Sequence, residues 1–213
     1  MENLMIRTET VNDYRAVETL TREAFWNVNV PGCDEHYIAH ILRDHEDFIP
    51  ELDLVAELDG QIVGNVMYTK SKLIDEAGNE KRILTFGPIS VLPAFQRKGI
   101  SRALLEASFA KAVEMEFDVI VIFGNPDNYV ARGFKSCKKY NVCVGDGVFP
   151  TAMLVKELQP GALDGRKWFY HESPAYEMDS AEAEKFDALF EFKEKKWQPS
   201  QEEFFIHSSS VIQ

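Results

Sequence analysis

The chain has 213 residues, 45% of them hydrophobic and 12% aromatic, and its 23 Lys and Arg against 35 Asp and Glu leave a net charge of −12. That apolar content can bury a core, which excludes a disordered chain, and the length suits one large domain or a domain with an appendage. The acid excess speaks against nucleic-acid or anionic-membrane partners, because nothing basic offsets phosphate repulsion. No run approaches the ~20 apolar residues of a membrane span, and Met1-Glu2-Asn3 lacks the basic start of a signal peptide, so the expected setting is cytoplasmic.

In chain order, Met5-Ile6 reads as a strand. A helix follows, capped by Thr10 with Asp13 at the capping-box position and carrying Tyr14, Val17, Leu20 and Ala24 on one stripe. Pro31-Gly32 breaks the chain, and a second helix is expected over Glu35–His45. Leu52–Leu58 and Gln61–Lys72 read as strands joined by Asp59-Gly60, a pair suited to a type I′ hairpin turn, and Ala77-Gly78-Asn79 leads into a third strand, Lys81–Val91. Ile100–Glu116 is helical. Asp118–Phe123 is an almost unbroken apolar run, as in a strand buried on both faces. Strand, helix, strand makes a βαβ unit, so Lys81–Val91 and Asp118–Phe123 should run parallel. A short helix near Asn128–Arg132 and strands at Lys135–Val144 and Thr151–Leu158 complete an α/β (α+β mixed) fold: a mostly antiparallel sheet with one parallel pair.

The chemistry concentrates in Val91-Leu-Pro-Ala-Phe-Gln96-Arg97-Lys98-Gly99-Ile100-Ser101-Arg102-Ala-Leu-Leu105, where a strand ends and a helix begins. A helix N-terminus presents unpaired N–H groups and partial positive charge, and Gly99 lets the backbone approach an anion with no Cβ in the way. Arg97, Lys98 and Arg102 cluster there against the acidic balance of the whole chain, a pattern that points to a polyphosphate ligand.

Val-x-Pro-x-x-Gln-x-x-Gly-x-Ser-x-Ala-Leu-Leu resembles the acetyl-CoA signature of the GNAT superfamily of N-acetyltransferases. Asn125-Pro-Asp-Asn-Tyr129-Val-Ala-Arg-Gly133-Phe134 is similar to the superfamily's Tyr-x-x-x-Gly-Phe segment. Ser101 departs from the usual Gly or Ala. The likeness runs through residues 4–158, so the domain is placed at 1–158 and a C-terminal extension at 159–213. Leu158-Gln-Pro-Gly-Ala-Leu163 and Tyr170 to Tyr176 resemble the tail of a bacterial branch of predicted acetyltransferases. The resemblance implies an acyl-CoA N-acyltransferase fold whose fourth and fifth strands splay to admit pantetheine. It implies acetyl-CoA (coenzyme A) as cosubstrate and direct transfer to the primary amine of a small molecule or peptide.

Residue by residue, the resemblance implies that Gln96, Arg97, Lys98, Gly99, Ile100, Ser101 and Arg102 hold the pyrophosphate, and that Val91 pairs with the pantetheine amides. The Ile89 N–H would polarise the thioester carbonyl, freed by a bulge at Gly87-Pro88, since Pro88 cannot donate to a ladder. Tyr129 would be the general acid for the departing thiolate, and Asn125 would bind pantetheine or position Tyr129. Trp26, Asn27, Asn29, His36 and His40 would form the acceptor lip. No general base is singled out among Glu57, Asp75 and Glu76. A non-catalytic acyl-CoA-binding module, another acyl-CoA and a hydroxyl acceptor are the rival readings.

His36 and His40 stand at i, i+4, but without a matching third ligand; no metal is expected, and a solvated helix face is. Cys33, Cys137 and Cys143 include no Cys-x-x-Cys pair, so buried free thiols are expected; Cys137, among Lys135, Lys138 and Lys139, is the one with basic neighbours. In the extension, Lys167–His171 is strand-like, Phe186, Leu189, Phe190 and Trp197 form a helical stripe, and Phe204-Phe205-Ile206 reads as a strand. The extension either covers the domain, forms a homodimer contact, or walls the acceptor site.

Overall fold

The computed structural model describes residues 3–213; Met1 and Glu2, the first residues of the expected domain, lie outside them. The strands are β1 (Leu4–Thr8), β2 (Leu54–Leu58), β3 (Gln61–Asp75), β4 (Glu80–Val91), β5 (Val119–Phe123), β6 (Lys135–Ser136), β7 (Val142–Cys143), β8 (Met153–Glu157) and β9 (Trp168–His171). The helices are α1 (Tyr14–Phe25), α2 (Glu35–Leu42), α3 (Ile100–Glu114), α4 (Pro126–Tyr129), α5 (Ser180–Asp187) and α6 (Pro199–Ser209). Among the described residues no helix is long and apolar enough to cross a membrane.

The sheet runs β1-β2-β3-β4-β5-β8-β6, with β9 joined to β3 and to the short β7. β1 through β4 are antiparallel, while β4 and β5 form the expected parallel pair at Leu84 opposite Ile120. Asp59 and Gly60 both take positive φ (51° and 82°), the geometry of the type I′ turn that closes β2 onto β3. At the other end of β1, the Thr10 amide and hydroxyl both donate to Asp13 Oδ2, at 2.8 and 2.7 Å, and start α1.

The apolar run of β5 is explained by two cores. Ile120 and Ile122 face the one beneath α3, with Leu104, Leu105, Leu84 and Phe134; Val119 and Val121 face the other, with Leu73, Ile83, Val155 and Trp168. A strand sandwiched in this way has no solvent side for polar residues. α3 rests very close to β3: a Cβ on Gly64 would stand 2.9 Å from Ile100 Cγ2 and 3.1 Å from Leu104 Cδ1. Gly64→Val should therefore lift the start of α3 and cost about 1–3 kcal/mol, read by chemical denaturation. An unchanged midpoint would show that α3 tolerates a wider seat.

Three expected elements differ. Residues 135–144 are broken into β6, a 3-10 turn over Cys137–Tyr140 and β7, because Ser136 caps the turn at the Lys138 N–H and Asn141 leaves it at φ 55°. The aromatic stripe is helical only to Asp187; beyond it the backbone is tied across α1, with Arg15 donating to Leu189 O and Trp26 Nε1 to Glu194 O. Phe204-Phe205-Ile206 lies in α6 rather than a strand, since Pro199 occupies the first helical turn, where its missing N–H costs nothing.

Candidate active site

Pro88 interrupts β4 where the sequence suggests. Val66 faces Ile89 but Tyr68 faces Phe86, so β4 carries one extra residue at Gly87-Pro88. The register beyond the bulge decides which amides are free. Leu92 donates to Val63 O at 3.0 Å, which makes that pair a hydrogen-bonded one. Antiparallel pairs alternate, so Ser90 bonds to Asn65, while the N–H groups of Ile89 and Val91 point away from β3. They point toward β5, which pairs with β4 at Leu84 and Ile120 and then diverges. A wedge lined by backbone donors opens between the two strands.

At its far side α3 begins. Gly99 is in the left-handed region at φ 86°, with nothing within 4 Å of where a Cβ would stand, and Arg97 is left-handed too at φ 58°. The Ala103 N–H takes the Gly99 carbonyl as the first intrahelical bond, so the N–H groups of Ile100, Ser101 and Arg102 face outward from the helix end. Gln96 Nε2 donates to Val91 O at 3.1 Å and ties the loop to the strand. Lys98 donates to Ala94 O and Arg102 pairs with Glu106 at 3.3 Å, both on exposed surface.

A cavity of about 530 Å³ fills the near end of the wedge. Gly87, Pro88 and Ile89 line one side and Phe123, Gly124, Asn125 and Tyr129 the other. Tyr129 packs between Phe86 and Phe134, each 5.8 Å away by ring centroid, and burial pushes its phenol up to about 12. Gly124 makes room for it: a Cβ there would lie 2.6 Å from Tyr129 Cε2. Asn125 caps α4 by accepting from the Asp127 N–H at 3.0 Å, which fixes the turn that carries Tyr129.

The structure thus brings Ile89, Asn125, Tyr129 and Asn29 to one cavity, while Val91 and the Gln96–Arg102 segment lie beyond it along the wedge. The rest of the expected lip is elsewhere. Trp26 and Asn27 bond to the extension at Glu194 O, both at 3.1 Å. His40 Nδ1 pairs with Glu18 at 2.9 Å. His36, expected on a solvated face, is fully buried under Phe186 and Phe190. Residues not singled out in the sequence take those places: Phe25, Glu35, Glu172, Tyr176 and, from α6, Glu203 and Phe204. Tyr176 donates to Gly87 O at 3.2 Å and accepts from Thr69 at 3.3 Å, which braces the bulge. Its neighbour β9 was legible as a strand; which strand it would join was not. None of the carboxylates considered for a base borders the cavity: Glu57 pairs with Arg7 and Asp75 with Arg166, each at 2.8 Å, and Glu76 is exposed.

Cys33, His36 and Asp187 line up like a nucleophilic triad, with Sγ 3.6 Å from Nδ1 and Nε2 3.1 Å from the carboxylate. The chemistry is opposite to that of a nucleophile. Burial and the nearby Glu35 and Asp187 push the Cys33 thiol far up, so no thiolate forms. Cys137 is also buried, its thiol pushed up to about 11 despite the neighbouring lysines. The His36–Asp187 contact is close but off hydrogen-bond geometry, leaving Nε2 without a directed partner.

Burial holds the His36 imidazolium down to about 4, and Asp187 only partly opposes it. Its folded value is below the ordinary 6.5, so its stabilising contribution is complete above pH 6.5 and is lost as pH falls through 4. Tm should therefore fall as pH drops through that window, and His36→Asn should flatten Tm against pH over it. An equally steep profile in the variant would place the titration elsewhere.

A mixed sheet in which the parallel neighbours β4 and β5 diverge, with backbone donors in the gap and a helix end beyond it, is the architecture of acyl-CoA N-acyltransferases; the short β7 and β9 form a second parallel pair away from the gap. The chain belongs to the acetyltransferase (GNAT) family, whose model matches residues 15–136. It is similar to the uncharacterized N-acetyltransferase YjhQ of Escherichia coli K12, 24% identical over 120 residues that span 56% of this chain and 62% of that relative. Its fold is similar to that of the GNAT family N-acetyltransferase YhbS of Escherichia coli, solved in complex with CoA (TM-score 0.69, 22% identity, 82% of this chain and 92% of the other). It is also similar to a GNAT family acetyltransferase of Brucella melitensis, solved with acetyl-CoA (TM-score 0.64, 24% identity, 83% of this chain and 100% of the other).

Proposed function

We propose that this protein transfers the acetyl group of acetyl-CoA directly to a primary amine. The observation that carries the reading is the register of β4, which turns the Ile89 and Val91 N–H groups into the gap in line with the open start of α3. The residues fit the cosubstrate. The outward N–H groups of Ile100, Ser101 and Arg102, the unencumbered Gly99 and the cations Arg97, Lys98 and Arg102 suit a pyrophosphate, with Gln96 holding the loop in place. Val91 and Asn125 suit the amides of pantetheine.

When bound, acetyl-CoA supplies an acetyl group activated as a thioester. The Ile89 N–H donates to its carbonyl oxygen, and this bond strengthens as negative charge gathers on that oxygen under attack by the amine. The Tyr129 hydroxyl gives its proton to the departing sulfur, and the proton that the amine nitrogen sheds as the amide forms returns to the phenolate. A phenol held near 12 stays protonated at neutral pH, so the donor is always ready. The rings of Phe86, Phe123 and Tyr129 give the thioester's place in the cavity an apolar wall. The test is calorimetric titration with acetyl-CoA, followed by free-thiol release over an amine panel and without amine. Binding with amine-dependent release supports the reading; binding without any release would leave a CoA-binding module instead.

A further inference from the structure

The C-terminal extension builds much of the cavity wall opposite the wedge, and the chemistry of that wall selects what can enter. Glu172 follows β9, which pairs with β3 at His171 opposite Lys72. Tyr170, two residues earlier and on the same face, is hydrogen-bonded to Thr85 at 2.8 Å, and Thr85 lines the cavity beside Glu172. Glu203 stands on α6, held over the cavity because Ser200, one turn earlier, donates to Val28 O at 2.8 Å. Glu35 opens α2 and its carboxylate is fixed by Asn29 at 2.8 Å.

Among the described residues lining the cavity, these three carboxylates and His207 are accompanied by no Lys or Arg. Much of the remaining wall is apolar, led by Phe25, Phe123 and Phe204. An acceptor with its own carboxylate would meet three like charges. A neutral one would leave desolvated carboxylates without a counter-charge, and both outcomes cost binding.

Resting on the acetyltransferase reading above, we propose that the acceptor is a primary amine captured as its cation on an apolar body, with the ammonium paired to Glu172, which takes up the extra proton before the nitrogen attacks, and the body among the phenylalanine rings. Partial desolvation at the cavity wall supports the pairing, since it raises the carboxyls of Glu172 and Glu35 above the usual glutamate range, and a bound ammonium offsets it. Glu172 remains open to solvent at the cavity, so the amine reaches it without the core opening. Its place in the extension, outside residues 15–136, makes the extension part of the acceptor site.

The experiment titrates the CoA-loaded protein with 2-phenylethylamine, 2-phenylethanol and L-phenylalanine, which share one body and differ in charge. The amine should bind at least about tenfold more tightly than the alcohol or the amino acid, and Glu172→Gln should remove that advantage while leaving CoA affinity unchanged. An alcohol or amino acid that binds as well as the amine, or an amine affinity untouched by Glu172→Gln, overturns the proposal. So does the absence of amine binding at millimolar concentration. Spermidine binding more tightly than 2-phenylethylamine would overturn the apolar-body half. The preceding CoA titration stands apart: its failure would overturn the acetyltransferase reading, whereas a CoA-loaded protein that ignores the amine overturns this inference alone.

Discussion

Reversing charge at Lys98 and Arg102 together should weaken acetyl-CoA binding roughly a hundredfold at low salt, and the loss should shrink as salt is raised. Both side chains are exposed near the start of α3 and hold no structural core in place; their contacts are Ala94 O and Glu106 on the surface. Stability should therefore stay close to that of the parent, which separates a binding defect from a folding one. The physical reason for a large effect is local. The chain carries a net charge of −12, so on the proposed reading the helix end and its cations are the local exception in an otherwise anion-repelling field. Replacing two cations by two carboxylates extends the repulsion to the binding point itself. Calorimetry at two salt concentrations checks this, and affinity that survives the double reversal would show that pyrophosphate is held elsewhere.

Tyr129→Phe should lower kcat by about 10- to 100-fold while leaving acetyl-CoA affinity within about twofold. Phenylalanine keeps the ring that packs on Phe86 and Phe134 and fills the room left by Gly124, so only the hydroxyl is lost. The effect stays at the modest end for proton transfer because a thiolate already leaves fairly well. In the parent enzyme no alkaline decline from Tyr129 should appear until about 12, since burial holds its proton. Steady-state rates of thiol release against pH check both statements. Unchanged turnover in the variant would remove the acid role.

Much of this was legible because it is written in local pattern. Asp59-Gly60 demanded a tight hairpin, Pro88 demanded a break in its ladder, and the apolar run of Asp118–Phe123 read as a strand covered on both sides, which holds from Val119 to Ile122 while Phe123 is exposed. The open helix end was legible for the same reason: Gly99, the first turn of α3 and its cations are contiguous, and the left-handed turn at Gly99 follows from local backbone rules. The acceptor end is different in kind. His36 sits on a helix face that looks open until Asp187, Phe186 and Phe190 return from about 150 residues later to cover it, while His40 beside it stays half exposed. That return depends on an ion pair, Arg22 to Asp187 at 2.6 Å, whose partners show no sequence relationship.

What the sequence by itself determined is the order of β2 through β5, the bulge and the helix end, each dictated by neighbouring residues and by steric rules of the backbone; the place of β1 beside β2 was not among them. Only the tertiary structure decided where the last fifty-odd residues go. Whether β9 joins β3 or another edge is a competition among distant pairings of similar local propensity, and the winner is set by total burial rather than by any motif. Because Glu172 and Glu203 ride on that outcome, the charge of the cavity wall was invisible until the chain had folded back upon itself.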